Sequence, residues 1–319
     1  MNAKTKGTIC GIIAAVTYGT NPLGALSLYA DGINSASVLF YRYGLAVVLL
    51  AAVMLLRRNE SLRVSWRELR IIATLGILFA ASSLSLYLSF HYMDAGIAST
   101  ILFVYPIMVA VIMALFFHEK TTLITVISIA LSLCGIGLLY RGGDGATLST
   151  VGVLLVLVSS LTYALYIVIV NRSTLAMSPY KLSLYVMAFG ALTIVLYSFT
   201  GDGNRLQLLS TWSQWGYAWL LAILPTVVSL VMMTIAVHNI GSTPTAVLGA
   251  LEPLTAVVIG VTVFGEAFTV RLACGILLVL LAVLLIVGGK AFDPRRLVRP
   301  LARPLVRGGI YLRNHFWWR

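Results

Sequence analysis

The sequence predicts an all-α integral membrane protein with ten transmembrane helices, arranged as two inverted repeats of five. Three observations lead to this fold class: an apolar composition, ten long apolar stretches and an internal repeat. Of the 319 residues, 60% are hydrophobic and only 10% are charged, and the mean hydropathy is +0.99. Soluble domains have a far more even balance. A chain of this composition therefore needs the lipid bilayer as its solvent.

Ten apolar stretches are long enough to cross a bilayer, because a helix needs about 20 residues to span a hydrocarbon layer of roughly 30 Å. The stretches cover residues 9–29, 36–56, 70–90, 97–117, 122–140, 151–170, 181–200, 215–236, 244–264 and 269–288. They are too long for strands and lack the alternating pattern of a membrane barrel. The first stretch follows Lys4 and Lys6 as a secretory signal would, but no small-residue cleavage site ends it. We interpret all ten stretches as retained helices, numbered 1 to 10.

The basic residues predict the orientation of these helices. With a cytoplasmic amino terminus, 18 of the 22 lysines and arginines fall on the cytoplasmic side. Arg141, Arg205 and Arg271 fall on the other side, and Arg42 lies within helix 2. This asymmetry follows the positive-inside rule, so both termini are expected in the cytoplasm. Topology and anionic lipid account for the net charge of +12, and no nucleic-acid partner is expected.

Residues 289–319 form a basic tail that differs in kind from the rest of the chain. Its arginines recur at every fourth position, but Pro300 and Pro304 interrupt the helix that such spacing favours. One interpretation is a semi-extended segment on the anionic inner leaflet of the membrane. A disordered tail that only helps to set the topology remains the alternative.

An internal repeat divides the helices into two halves. A shift of 147 positions aligns residues 91–138 with 238–285 without a gap and gives 11 identities in 48 positions. The polar or conformationally special identities are His91 with His238, Pro106 with Pro253, Glu119 with Glu266, and Thr122 with Thr269. A shift of 145 aligns Gly7, Thr17 and Tyr18 with Gly152, Thr162 and Tyr163. Because five helices form each half, the second half enters the bilayer in the opposite sense, as in many secondary transporters.

The same residues carry a resemblance to a known family. The stretch "LEPLTAVVIGVTVFGEAFT" at 251–269, with a proline, an apolar run and Gly-Glu, resembles the signature of the EamA family within the drug/metabolite transporter superfamily. "FYRYGLA" at 40–46 is similar to the family's second helix, and the first half has His118 where the glycine would stand. The resemblance implies two five-helix units, at 7–140 and 150–288. It also implies a transporter of a bacterial inner membrane, often an exporter of amino acids or other small metabolites, with no particular substrate.

Arg42 and Glu252 are the main candidates for substrate binding. Counted from the ends of their helices, Glu252 lies roughly 13 Å and Arg42 roughly 10 Å into the bilayer. An unpaired charge at such depth costs at least about 3 kcal/mol, so each is expected to face protein or water and to find a partner. Two interpretations remain open: a structural ion pair between helices 2 and 9, or direct contact with substrate or proton.

Aromatic and polar residues at similar depth are further candidates for the lining of a cavity. They are Tyr18, Asn21, Tyr105, Tyr163 and Tyr166. Tyr105 occupies, in the first half, the position that Glu252 has in the second. The tyrosines are equally compatible with interfacial anchoring, and Asn21 with the end of helix 1.

Two prolines and two carboxylates are candidates for helix breaks or gating. Pro106 and Pro253 each release a backbone carbonyl from helical hydrogen bonding, which favours a polar cavity. Glu119 and Glu266 follow helices 4 and 9 and precede threonines at the expected starts of the next helices. A carboxylate at such a place caps the turn beside the positive end of a helix, or else acts in gating or coupling.

A secondary transporter working by alternating access is the function that the sequence favours, with efflux of amino acids or similar metabolites as the expected role. A membrane-embedded transferase would need clustered acids or histidines, and a structural or receptor-like protein gives no reason for inverted halves. The cysteines, Cys10, Cys134 and Cys274, have no disulfide or metal-binding spacing, so neither a metal nor a cofactor is expected. A small-molecule substrate is the expected partner, and the oligomeric state stays open.

Overall fold

The computed structural model describes residues 2–289 apart from 57–61, 119–122, 140–147, 174 and 176. Its α-helices, in chain order, are α1 Ala3–Tyr18, α2 Asn21–Ala30, α3 Ser35–Leu56, α4 Trp66–Ser89, α5 Ala95–Leu102, α6 Tyr105–Phe117, α7 Leu123–Leu139, α8 Thr150–Arg172, α9 Pro179–Ser198, α10 Trp212–Ala222, α11 Ser229–Ile240, α12 Ser242–Leu248, α13 Leu251–Phe264 and α14 Val270–Gly289. A short 3₁₀ helix spans Asp202–Asn204, and a π-helical segment, Ile223–Val228, joins α10 to α11. Glu119 and the tail from residue 290 onward lie outside the described residues.

The helices occupy the ten predicted stretches, which confirms the all-α membrane fold. Seven helical segments of the described chain are long and apolar enough to cross a membrane. They are Ala3–Ala30, Ser35–Leu56, Trp66–Ser89, Ala95–Phe117, Thr150–Arg172, Pro179–Ser198 and Trp212–Ile240. The shorter apolar segments Leu123–Leu139, Leu251–Phe264 and Val270–Leu285 fill the remaining three places.

Three of the ten predicted transmembrane helices are each broken into two pieces near mid-length. Helix 1 consists of α1 and α2, helix 4 of α5 and α6, and helix 9 of α12 and α13. The breaks fall at residues 19–20, 103–104 and 249–250. The second piece of each has a proline in its first turn, Pro22, Pro106 or Pro253, where the missing N–H costs no helical hydrogen bond. The breaks of helices 4 and 9 correspond to within one residue under the 147-position shift.

The two halves interlock. Helix α1 packs against α11, and its counterpart α8 packs against α4, the counterpart of α11. The Ser82 hydroxyl donates to the Ser159 carbonyl at 3.0 Å, and the Ser229 hydroxyl donates to the Ala14 carbonyl at 2.9 Å. Ser229 follows Ser82 by 147 positions and Ser159 follows Ala14 by 145, the same shifts as in the sequence repeat. The same hydrogen bond therefore occurs twice, and each time it joins one half to the other.

The two ends of the bundle differ. We call the end at which α1 begins the inner end, after its predicted cytoplasmic side, and the opposite end the outer end. At the outer end α2 packs against α10 and α13, and α5 packs against α13. At the inner end the short helix α12 packs against α1, α11 and α14. The pieces of the broken helices thus pack at both ends of the bundle, around its middle.

Candidate functional site

A cavity of about 250 Å³ lies among these helices, and residues of both halves line it. The polar and aromatic residues of its lining are Tyr18, Arg42, Phe79, Tyr105, Tyr163, Tyr166, Ser183, Thr226, Ser229, Thr245 and Glu252. Gly11, Met233 and Gly249 complete its wall on the side of the inner end. Six of the seven substrate-binding candidates therefore surround one space, and Asn21 lies behind it.

Arg42 is held by two hydroxyl groups. Its side chain is buried, with 2% of its surface exposed. The Nε atom donates to Thr226 Oγ1 at 3.1 Å, and Nη1 donates to the Tyr87 hydroxyl at 3.0 Å. Thr226 lies in the π-helical segment and donates to the carbonyl of Leu221, five residues earlier, at 3.0 Å. The wider turn of the π helix thus places an oxygen where Arg42 needs an acceptor.

A second chain of hydrogen bonds links Arg42 to the break in helix 1. The Tyr87 hydroxyl donates to Asn21 Oδ1 at 3.2 Å, and Asn21 Nδ2 donates to the Tyr18 carbonyl at 2.9 Å. Asn21 is the first residue of α2 and is buried. Its role in this structure is to connect the helix break to the arginine, while Tyr18 itself faces the cavity.

Glu252 contrasts with Arg42 in having no hydrogen-bond partner among the residues that the structure describes. It is the second residue of α13 and is partly exposed to the cavity. Within the described part of the chain its carboxylate makes no hydrogen bond, and no ion pair of 4.0 Å or less joins it to Arg42. The structural ion pair between helices 2 and 9 that the sequence left open is not formed here. The cavity instead contains an anchored cation and an unpartnered carboxylate.

An aromatic wall completes the cavity. The rings of Tyr105 and Tyr163 meet edge to face with their centroids 4.7 Å apart, and Tyr163 and Tyr166 stack at 5.8 Å with an interplanar angle of 4°. Phe79 packs against Tyr166 with the ring centroids 5.6 Å apart. The sequence pattern indicated the tyrosines but missed Phe79 and Thr226. Pro225, within the apolar stretch of helix 8 and beside Thr226, was the available signal for the latter.

The carbonyls that the two prolines release are both occupied. Pro106 cannot donate to the Leu102 carbonyl, which accepts a hydrogen bond from the Ser160 hydroxyl at 3.0 Å instead. In the second half the Gly249 carbonyl, which Pro253 leaves free, accepts from the Glu252 amide at 3.0 Å. A helix break precedes each of the two prolines, but neither proline leaves a free carbonyl at these two positions.

Glu266 caps a helix of the other half. Its Oε1 accepts from the Ala95 amide at 2.8 Å and its Oε2 from the Gly96 amide at 3.3 Å, at the start of α5. The following helix, α14, has its own cap, because Thr269 Oγ1 accepts from the Leu272 amide at 3.3 Å. Burial raises the pKa of the Glu266 carboxyl and nearby Asp94 raises it further, whereas the two amides act in the opposite direction.

The fold and the site together define a polytopic membrane protein built around a central cavity with ionisable groups at mid-depth. Its sequence matches the EamA-like transporter family over residues 5–141 and 150–288. The chain therefore belongs to the EamA-like transporter family.

Individual relatives agree with this assignment. An uncharacterized transporter of Archaeoglobus fulgidus is 25% identical over 192 residues, and one of Synechocystis sp. is 28% identical over 218 residues. These alignments cover 60% and 66% of this chain, and 66% and 64% of the relatives, so the chain spans slightly less than two thirds of their length. A solved crystal structure that is 16% identical shares the fold with a TM-score of 0.65, covering 92% of this chain and 99% of that one.

Proposed function

We propose that the protein is a secondary transporter that exports amino acids or similar small zwitterions across the bacterial inner membrane by alternating access. One observation carries the proposal: Arg42 and Glu252 face the same mid-depth cavity and are not paired with each other. Removing two opposite charges from water is costly unless each finds a partner. A zwitterion provides a partner for both.

In this proposal each group has a role. A guanidinium has five N–H donors. Thr226 and Tyr87 each accept from one of those of Arg42, and Tyr18 lies beside it, so others remain for a substrate carboxylate. The carboxylate of Glu252 accepts the substrate ammonium group. The aromatic wall and Met187 surround the apolar part of the substrate.

The cavity extends towards one end of the bundle. Its lining extends from Glu252 towards the inner end through Gly11, Ser183, Met233 and Thr245. The basic residues favour a cytoplasmic position for this end. In this conformation substrate reaches the cavity from the cytoplasm, as the loading step of the proposed efflux requires.

Neutralisation of both charges tests the proposal. We expect purified wild-type protein in liposomes to exchange a labelled amino acid from a mixed panel, and an Arg42→Gln, Glu252→Gln variant to lose at least about tenfold of this flux. The variant should remain folded, because no buried charge is left unpaired. The control is Asp202→Asn, Arg205→Gln, which neutralises an exposed ion pair of 2.8 Å at the outer end.

Two results would count against the proposal. If the well-folded Arg42→Gln, Glu252→Gln variant transported at the wild-type rate, the two charges would not be part of the substrate site. A wild-type protein that binds panel members, as seen in its thermal stability, but never exchanges them would reject transport itself.

A further inference from the structure

The contact between Glu266 and α5 joins the two halves at the outer end of the cavity. The carboxylate comes from the segment after α13 in the second half, and both amides belong to the first turn of α5 in the first half. These amides have no partner within their own helix, and the positive end of the helix dipole adds to the attraction.

Two glycines make room for the carboxylate. A Cβ atom at Gly260 of α13 would collide with Glu266 Oε2. A Cβ atom at Gly96 of α5 would lie 3.1 Å from the same oxygen and 2.9 Å from the Cα atom of Val257. The close approach of α5 to α13 thus depends on the absence of side chains at both positions.

The corresponding place at the inner end is arranged differently. Under the 147-position shift α5 corresponds to α12, and α13 corresponds to α6. Helix α5 packs against α13, whereas α12 packs against α1, α11 and α14 and has no comparable contact with α6 in the described part of the chain. Because the repeats are inverted, these two pairs lie at opposite ends of the bundle. The outer pair is closed while the cavity extends towards the inner end.

We propose that Glu266 is the latch of an outer gate, which holds α5 against α13 while the cavity is open to the inner end and which is released when the cavity opens outward. This inference rests on the proposed alternating access. It assigns to Glu266 a part in the transport cycle, because α5 leads directly into the break at residues 103–104 and so to Tyr105 in the cavity wall.

The test measures the gate directly, without transport. Spin labels replace Tyr92 and Phe268, which are 50% and 57% exposed and flank α5 and α13 at the outer end, in a full-length protein whose three cysteines are substituted. We expect wild-type protein in liposomes to give mainly the short distance between the labels. Glu266→Gln should raise the ratio of the long to the short population about tenfold.

A second variant and a control make the result specific. Gly260→Ala expels the carboxylate by a different route and should shift the same ratio in the same direction. Asp202→Asn removes a carboxylate elsewhere at the outer end and should leave the ratio unchanged. An unchanged ratio in Glu266→Gln, with or without a loss of thermal stability, would overturn the latch and leave Glu266 a structural cap.

The outcome can be separated from that of the proposed function. If the ratio shifts but no panel member is bound or exchanged, the gate stands and the assigned substrate class fails. If exchange is observed but the ratio stays constant in both Glu266→Gln and Gly260→Ala, transport stands and the latch fails.

Discussion

Hydrogen bonds fix the orientation of the Arg42 side chain in this protein. Two neutral hydroxyls fix the guanidinium, one on a π-helical turn and one connected to a helix break. Neutral acceptors satisfy the donors of the arginine but leave its charge available. This arrangement suits the role that we propose for Arg42, which is to bind a substrate carboxylate.

Removal of the Thr226 hydroxyl should release one side of Arg42. Thr226→Val keeps the shape of the side chain but leaves the buried Nε atom without an acceptor, at a cost of about 1–3 kcal/mol in the free energy of unfolding. The freed guanidinium should also bind substrate about tenfold more weakly. Thr226→Ser, which keeps the hydroxyl, should restore both properties.

Thermal unfolding and amino-acid binding titrations of the two variants check this prediction. A Thr226→Val protein with wild-type affinity would show that the π-helical turn does not position Arg42.

Much of the candidate site could be predicted from residue type and depth. Charged residues and tyrosines stand out in an apolar chain, and the inverted repeat brings matching depths together, so Tyr18, Tyr105 and Glu252 were accessible to this reasoning. Residue type and depth did not indicate Thr226, because a threonine in an apolar stretch usually indicates only packing. The sequence also did not indicate the partner of Glu266. Ala95 lies 171 residues away, and the helix that begins nearest to Glu266 in the sequence is α14.

At the scale of the helices, close approach depends on glycine. A Cβ atom at Gly76 of α4 would collide with Phe189 of α9 and lie 3.2 Å from the Val186 carbonyl. A Cβ atom at Gly44 of α3, by contrast, would have no atom of another helix within 4 Å. A side chain at position 76 would therefore force two helices apart, whereas a side chain at position 44 would meet no neighbour.

These two glycines allow a matched comparison. Gly76→Ala should lower the free energy of unfolding by about 1–3 kcal/mol, because α4 and α9 must separate. Gly44→Ala should be neutral or raise it by up to about 1 kcal/mol, because alanine restricts the unfolded chain more and favours helix. Equilibrium unfolding of both variants in detergent micelles provides the measurement. Equal effects would show that α4 and α9 adjust freely at this contact.

Helix boundaries were largely predictable, and helix interruptions only in part. Apolar stretches report the thickness of the bilayer and therefore the ends of spans. Prolines indicated the breaks in helices 4 and 9, and Pro225 lies within the π-helical segment Ile223–Val228. The hydrogen bond that Thr226 donates to the Leu221 carbonyl in this segment could not be predicted from the sequence.

For the whole molecule, the distribution of charge predicts the topology. A reporter fused after Arg319 should be active in the cytoplasm, because the positive-inside rule favours that side for most of the basic residues. A tag inserted beside Asp202, in the exposed 3₁₀ helix between α9 and α10, should be accessible from outside. Labelling of intact and permeabilised cells distinguishes the two locations. External labelling of the carboxyl terminus would invert the assignment of the inner end and with it the proposed efflux.

The pairing of helices has a consequence for how the chain is made. The most extensive contacts join α7 to α14, α1 to α11, α4 to α8 and α3 to α9, always one helix from each half. The early helices therefore enter the bilayer well before their partners are synthesised. At roughly 5–20 residues per second, a separation of about 150 residues is a wait of about 8–30 s. During this interval Arg42 has no Thr226 and α5 has no Glu266, so the nascent first half depends on lipid or on the insertion machinery for temporary partners.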